Sequence, residues 1–173
     1  MKRVGPHLAR VHAYARRLAG PDAGPDLAQE ALVRAFERQG SFESGRPVLP
    51  WLLALVHNLH VDRRRAFDPI GVADDADGDR DLCAPAGDPE AAVAGAEVSG
   101  LVENALARLP VDQRSCVVLY HVEGLSLEEV SEAVGVPVGT VKSRLSRGRH
   151  ALAEMLSGLW EETAMARGGV RRV

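Results

Sequence analysis

The stretch GLSLEEVSEAVGVPVGTVKSRLSRGR, residues 124–149, predicts two short helices that meet at a tight turn. Ser126 and Glu129 form a capping-box pattern, in which a hydroxyl and a carboxylate satisfy free backbone donors at a helix start. Gly135 can adopt the left-handed conformation that ends a helix, and Pro137 has a φ suited to the first turn of the next one. Two helices joined in this way, the second of them basic, are typical of a module that fits a helix into the DNA major groove.

The second helix of this pair has an apolar side and a polar side. Its apolar residues recur at helical spacing and predict a buried stripe of Val141, Leu145, Leu152 and Leu156. The opposite side carries Gly139, Ser143, Ser146, Arg147 and His150. The flanks hold Thr140, Lys142, Arg144 and Arg149, where long cationic side chains can reach phosphates. A basic helix face that is merely solvated is the alternative interpretation.

Length and composition favour a small globular protein. The chain has 173 residues and 46% hydrophobic content, enough for one domain or two small ones. It contains no apolar run of membrane-spanning length and no signal-peptide pattern, so we expect a cytoplasmic protein with no membrane partner. The two cysteines, Cys83 and Cys116, are too few for a four-thiolate zinc site, and we expect no cofactor.

Charge is divided unevenly along the chain, although the net charge is only −3. Residues 1–65 carry a net +5 and residues 138–173 a net +4, whereas residues 66–100 carry −8 and residues 101–137 carry −4. The acidic segment is rich in Asp, Ala, Gly and Pro and poor in large apolar residues, which is typical of a flexible linker. Such a linker could also fold back on the basic ends and weaken non-specific DNA binding.

Helical periodicity predicts an all-α fold, with three helices before the linker and four after it. The first helix ends at Gly20 and Pro21, the second opens at Pro25, and the third begins after Pro50. The second helix is expected to bury Ala28, Ala31, Leu32, Ala35 and Phe36, and the third to bury Trp51, Leu52, Leu55, Val56 and Leu59. After the linker, helices are expected near residues 101–109 and 111–122, followed by the pair described above.

Three stretches together resemble a known family. PDLAQEALVRAF is similar to the core-polymerase-binding helix of bacterial sigma factors, and PWLLALVHNLHVDRRR to their promoter-melting helix. Residues 109–152 resemble their C-terminal helix-turn-helix domain. The combination resembles the small extracytoplasmic-function (ECF) class of the sigma-70 family, which keeps only regions 2 and 4. The resemblance implies region 2 over residues 1–66, a flexible acidic linker over 67–98, region 4 over 99–160 and a tail over 161–173.

The resemblance also implies roles for individual residues. Binding to the β′ clamp helices of core RNA polymerase falls to Asp26, Gln29 and Glu30, although Asp26 also suits a helix N-terminus by its charge alone. Recognition of an extruded minus-ten base falls to Asn58, with phosphate contacts from Arg63, Arg64 and Arg65. Reading of the minus-thirty-five element falls to Thr140, Lys142, Ser143, Arg144 and Arg147. The implied partners are core polymerase, through the β′ clamp and the β flap, and promoter DNA; an anti-sigma factor is a candidate partner.

Two other classes of protein fit parts of the sequence. The helix pair also resembles the DNA-binding end of LuxR-type regulators, but the chain lacks the strand–helix alternation of a receiver domain. A metal-dependent enzyme could use His57, His60 and Asp62, with His7 and His12 nearby in sequence. No HExxH motif or equivalent ligand cluster supports that alternative, and no nucleophile constellation or phosphate-binding glycine loop is present. The sequence therefore predicts a protein that is not itself an enzyme.

Overall fold

The computed structural model describes residues 4–42, 45–67 and 94–168, and every regular element within these ranges is helical. The α-helices are α1 (Leu8–Glu37), α2 (Val48–Phe67), α3 (Ala94–Arg108), α4 (Val111–Val117), α5 (Leu127–Val134) and α6 (Val138–Gly168). Short 3₁₀ turns cover Gly5–His7 and Gln39–Ser41, and a π-helical turn over Val118–Val122 extends α4. The expected all-α fold is confirmed.

The N-terminal domain consists of α1 and α2. The break expected at Gly20 is present as a sharp kink, because this residue has φ 83° and ψ 175° inside α1. Helical hydrogen bonding resumes on both sides, so one kinked helix replaces the two predicted ones. The third predicted helix, α2, begins at Val48 and carries Pro50 in its first turn, where a missing N–H costs no hydrogen bond.

The buried residues of this domain differ from the expectation at a few positions. Ala28, Ala31 and Ala35 are buried as predicted, but Phe36 is 53% exposed. Trp51 is half-buried, and its ring contacts that of Phe42 in a tilted arrangement, with 5.0 Å between the ring centroids. The rest of the predicted apolar stripe on α2 is buried, and so is a second stripe of Leu53, His57 and His60. Two sides of α2 are therefore covered.

The C-terminal domain runs from α3 to α6. Helix α3 begins at Ala94, inside the segment predicted to be linker, while residues 68–93 of that segment lie outside the described residues. Cys83 belongs to the same stretch, and Cys116 is a buried free thiol in α4, whose pKa burial raises to about 11. Helix α4 and its π-helical extension match the helix expected near residues 111–122.

The predicted helix pair is present with its capping chemistry intact. Ser126 Oγ accepts the backbone N–H of Glu129 at 3.1 Å, and a Glu129 carboxylate oxygen accepts the N–H of Ser126 at 2.8 Å. Gly135 ends α5 with φ 69°, and α6 begins three residues later. On α6, Val141 and Leu145 are buried, and Leu152 and Leu156 are half-buried. The geometry is that of a helix-turn-helix.

The two domains pack directly against each other. Helix α2 contacts α5, and α1 contacts α3 and α4, so that buried apolar residues of both domains form one continuous core. Within the three described ranges, no helix is both long enough and apolar enough to cross a membrane. The packing leaves most of the predicted site residues at the surface, as described below, whereas Arg144 is buried.

Gly148 lies where α6 packs tightly against α4. A Cβ added at this position would lie 2.8 Å from Val117 Cγ2, on a short branched side chain that cannot move aside freely. We expect Gly148→Ala to lower the free energy of unfolding by about 1–2 kcal/mol, since overpacking outweighs the gain in helix propensity. Gly158→Ala, in an open part of the same helix, should instead raise it by about 0.5–1 kcal/mol. Urea unfolding of both variants checks the difference, and equal effects would contradict the close packing.

Candidate nucleic-acid and polymerase interfaces

The first half of α6 presents a polar face to solvent. Lys142, Ser143, Ser146, Arg147 and His150 are exposed, and Thr140 is half-buried. Ser143 Oγ donates to the carbonyl of Thr140 at 2.9 Å, which leaves its lone pairs available at the surface. Small and cationic side chains side by side on one helix face allow close approach to a base-pair edge and its phosphates.

Arg144 lies in a different environment from the rest of its predicted set. It is 8% exposed, and its Nη2 is 2.8 Å from Asp112 Oδ2 at the start of α4. It also lies close enough to His57 of the N-terminal domain to affect the pKa of that imidazole. The sequence pattern assigned Arg144 to an exposed flank, whereas the folded chain holds it between α6, α4 and α2. In this arrangement it is not presented to solvent.

The predicted minus-ten residues lie on α2 and in its last turns. Asn58 is exposed between buried neighbours, so its amide projects away from the core. Arg65 is exposed, and Arg63 and Arg64 are half-buried. Arg63 Nη2 donates to a carboxylate oxygen of Glu30 on α1. The amide and the three guanidinium groups therefore follow one another along a single helix.

Glu30 joins the predicted polymerase-binding surface to the predicted DNA surface. Its carboxylate accepts hydrogen bonds from Arg63 of α2 and, at 2.9 Å, from Arg34 one turn along α1. The hydrogen bond from Arg63 is the main cause that lowers the pKa of Glu30. Asp26 and Gln29 are exposed and unobstructed on the same helix. The three predicted residues are thus neighbours, but Glu30 is already engaged within the chain.

Two apolar residues extend this α1 surface and were not predicted to do so. Val33 and Phe36 are each 53% exposed. They follow Asp26 and Gln29 at helical spacing, at i, i+3, i+7 and i+10, so the four residues share one face. The spacing of these four residues was visible in the sequence, but the face was not predicted because Phe36 was assigned to the core. We call Asp26, Gln29, Val33 and Phe36 the α1 face.

The histidine alternative receives no support from the geometry. His57 and His60 are buried, and burial lowers the pKa of each to about 4. His57 Nδ1 and His60 Nε2 have no hydrogen-bond partner within the described ranges. The same ranges contain no group of three or more His, Cys, Asp or Glu side chains arranged to hold a metal ion. These histidines are core residues between the two domains.

The two halves of the chain match two family models. Residues 4–68 match "Sigma-70 region 2", and residues 99–152 match "Sigma-70, region 4". Residues 69–98 lie between the two matched segments. The models also favour a sigma factor over the LuxR-like regulator, because region 2 is not explained by a helix-turn-helix alone.

Curated relatives extend the similarity over nearly the whole chain. The ECF RNA polymerase sigma factor SigW of Bacillus subtilis is 36% identical over 151 residues, covering 83% of this chain and 81% of the relative. SigM of Mycobacterium tuberculosis, another ECF sigma factor, is 36% identical over 156 residues, covering 88% and 74%. SigE of Mycolicibacterium smegmatis is 36% identical over 167 residues; the match covers 94% of this chain but 63% of that longer protein.

Solved structures show the same fold. The sigma factor RpoE of Bartonella quintana, in complex with the anti-sigma factor NepR, aligns with a TM-score of 0.70 and 28% identity, covering 90% of this chain and 95% of that one. CnrH, in complex with the cytosolic domain of CnrY, aligns with a TM-score of 0.63 and 22% identity, covering 91% and 86%. With both regions matched in order and relatives aligned along most of their length, this chain belongs to the ECF class of RNA polymerase sigma factors, non-enzymatic proteins that direct polymerase to promoters.

Proposed function

We propose that the chain binds core RNA polymerase through the α1 face and recognises a promoter through two separate surfaces, one on each domain. The polar residues of the α1 face suit the β′ clamp helices, and Val33 and Phe36 add apolar area that a polymerase partner would bury. The observation that carries the proposal is that one chain presents this exposed face together with two surfaces suited to binding DNA, one on α2 and one on α6. We also propose the site residues given above, the domain boundaries expected from the sequence and a cytoplasmic location.

The minus-ten element is assigned to α2. Asn58 can pair with the Watson–Crick edge of an extruded base because its amide offers both a donor and an acceptor. Arg63, Arg64 and Arg65 would contact the backbone of the opened strand. Since Glu30 accepts a hydrogen bond from Arg63 in this structure, a polymerase contact made by Glu30 would also change the hydrogen bonding of an arginine near the DNA.

The minus-thirty-five element is assigned to α6. Lys142 and Arg147 are exposed cations that can donate to guanine edges, while Thr140 and Ser143 lie close enough to the same face to fix its register. Region 4 would also contact the β flap. Because a linker connects the domains, binding of one makes binding of the other intramolecular, so promoter spacing becomes a criterion of selection.

An anti-sigma factor is proposed as a further partner of this chain. The support is that RpoE and CnrH, which share its fold, are seen with NepR and CnrY, the first of these named as an anti-sigma factor. A polypeptide that covers the α1 face would compete directly with polymerase.

Binding to promoter DNA with and without core enzyme tests the proposed function. Together with core polymerase, a sigma factor is expected to bind a duplex that carries both promoter elements. Without core polymerase, it is expected to bind the same duplex weakly. Asp26→Lys should reduce association with core without changing helical content, since the residue is exposed. Tight, specific duplex binding by the protein alone, unaffected by core enzyme, would favour a conventional regulator instead.

Arg147→Ala is expected to weaken binding to the minus-thirty-five element by about 1–3 kcal/mol and to relax base preference at one position. Arg149→Ala is the matched control, because Arg149 is exposed on the flank and should contact only phosphate. It should weaken binding to all sequences alike. Both effects are checked by measuring the affinity of each variant for a panel of duplexes with single-base changes. If the Arg147 variant has the same base preferences as the wild type, Arg147 does not take part in base recognition.

Asn58→Ala is expected to relax preference at one minus-ten base while association with core polymerase stays at the wild-type level. The physical reason is that an exposed amide contributes to base pairing and not to packing. Open-complex formation on templates substituted at each minus-ten position checks the effect. Equal losses at every base would contradict the assigned role.

A further inference from the structure

Both oxygens of the Glu30 carboxylate are held by arginines. Oε1 accepts a hydrogen bond at 2.9 Å from Nη2 of Arg34, one turn further along α1. Oε2 accepts one from Nη2 of Arg63, which lies on α2 and is 33 positions away in the sequence. The hydrogen bond from Arg63 is the largest cause that lowers the pKa of Glu30, so the carboxylate is ionised at neutral pH. One charged group therefore connects α1 to α2.

The Glu30–Arg63 pair can open without disturbing the core. The side chain of Glu30 is 38% exposed and that of Arg63 is 37% exposed, so a partner molecule can reach either group. Exposed ion pairs contribute little to folding stability, because water solvates the separated charges well. The packing of α1 on α2 depends instead on buried apolar residues of both helices. Either side chain is thus able to exchange its internal partner for a group on another molecule.

The two members of this pair are assigned to different partners under the proposed function. Glu30 belongs to the residues assigned to polymerase, and Arg63 to those assigned to the backbone of the minus-ten strand. While Arg63 donates to Glu30, it has fewer N–H groups for a phosphate, and the adjacent carboxylate repels that phosphate. While Glu30 accepts from Arg63, its negative charge is partly neutralised and attracts a cation of polymerase less strongly. Each contact with an outside partner therefore competes with the internal pair.

We propose that Glu30 and Arg63 form an exchange pair through which polymerase binding and promoter-strand binding reinforce each other. A polymerase cation that binds Glu30 releases Arg63 for a phosphate, and a phosphate that binds Arg63 releases Glu30 for polymerase. Because both effects break the same internal bond, linkage requires that each partner raise the affinity for the other by the same factor. The inference rests on the proposed function and adds to it a residue pair that couples α1 to α2.

Binding of the full chain to single-stranded DNA, without polymerase, tests the first half of the exchange. A fluorescein-labelled oligothymidine is the probe, because phosphate contacts do not depend on base sequence. Glu30→Gln keeps the shape of the side chain but removes the charge that holds Arg63. It should raise the affinity about 2–5-fold, the factor that an exposed ion pair contributes to an equilibrium. It should also steepen the salt dependence by about 0.7, as one further phosphate contact does.

The dependence of this effect on Arg63 separates the exchange from general electrostatics. In a chain that carries Arg63→Met, the effect of Glu30→Gln should fall to that of the matched control, Glu37→Gln. Glu37 is exposed and lies about two turns after Glu30 on α1, so its substitution removes the same charge from the same helix. The control should raise the affinity only slightly, and by the same factor whether or not Arg63 is replaced.

Affinity of the full chain for core polymerase, without DNA, tests the second half of the exchange. Arg63→Met removes the internal partner of Glu30, so it should raise the affinity for core by about 2–5-fold, although Arg63 itself is assigned to DNA. The gain should vanish when Glu30→Gln is also present, because no charged carboxylate remains to be released. Arg16→Met, the same change at an exposed position of α1, should leave the affinity for core unchanged.

Two results would overturn the exchange pair. One is an effect of Glu30→Gln on DNA binding that does not depend on Arg63, and the other is an affinity for core that Arg63→Met leaves unchanged or lowers. Circular dichroism confirms that the variants fold. If the wild type binds core polymerase and neither expected gain is seen, only the exchange pair is wrong. If the wild type does not bind core at all, the proposed function itself fails, so the two failures are distinguishable.

Discussion

Arg114→Ala is expected to lower the free energy of unfolding by about 3–5 kcal/mol. The side chain is 2% exposed, and its guanidinium donates to four carbonyl groups. Removing it leaves carbonyls at the ends of α3 and of the first half of α1 without their donor, and it opens a cavity at the junction of the domains. Each loss is destabilising, because buried acceptors without a donor keep their full desolvation cost.

Arg108→Ala and Arg114→Lys provide the controls. Arg108 occupies the last turn of α3, the helix that precedes Arg114, but it is exposed, so its loss should change stability by less than about 0.5 kcal/mol. Lysine at 114 keeps the charge but cannot reproduce the planar fork of donors, so an intermediate loss is expected. Urea denaturation at neutral pH measures all three variants. If Arg114→Ala and Arg108→Ala are equally mild, the proposed role of the buried guanidinium is wrong.

Acidification from pH 7 to pH 5 is expected to destabilise the fold by about 2 kcal/mol for each of His57 and His60. Burial, the largest cause, lowers the pKa of both to about 4, with Arg144 near His57 and Arg64 near His60 acting in the same direction. The unfolded chain therefore binds more protons than the folded chain between about pH 6.5 and pH 4. Stability is complete above this window and is lost as the pH falls through it.

Stability measured against pH for His57→Leu and His60→Leu checks this account. Each substitution should remove about half of the loss between pH 7 and pH 5, whatever its effect on absolute stability. His12→Gln is the matched control, because His12 is exposed on α1 and should leave the slope unchanged. A wild-type protein as stable at pH 5 as at pH 7 would show that these imidazoles are not buried in the neutral form.

Much of the local structure was predictable from the sequence because it depends on near neighbours. The capping box of Ser126 and Glu129, the turn at Gly135 and the break at Gly20 all follow from conformational preferences within a few residues. The polar face of α6 was predicted from helical periodicity alone. The exposed α1 face was only partly predicted, because periodicity does not distinguish a phenylalanine in the core from an exposed one such as Phe36.

Contacts between the domains were beyond a reading of local pattern. Arg114 lies in an ordinary amphipathic segment, and two of the carbonyls that it binds belong to residues 96 and 97 positions away in the sequence. The second side of α2, which carries the two histidines, is buried because α5 of the other domain packs on α2. Helical periodicity placed Arg144 on an exposed flank, because the sequence of α6 does not show that other helices enclose this residue. Each difference arises at the junction between regions 2 and 4.

Transcription in vitro with purified core polymerase and a randomised promoter library tests the central claim most directly. The account predicts core-dependent transcripts from templates that share two sequence elements at a fixed spacing. Arg147→Ala should alter the upstream element and Asn58→Ala the downstream one. A protein that neither associates with core enzyme nor starts transcripts from any template would contradict the account.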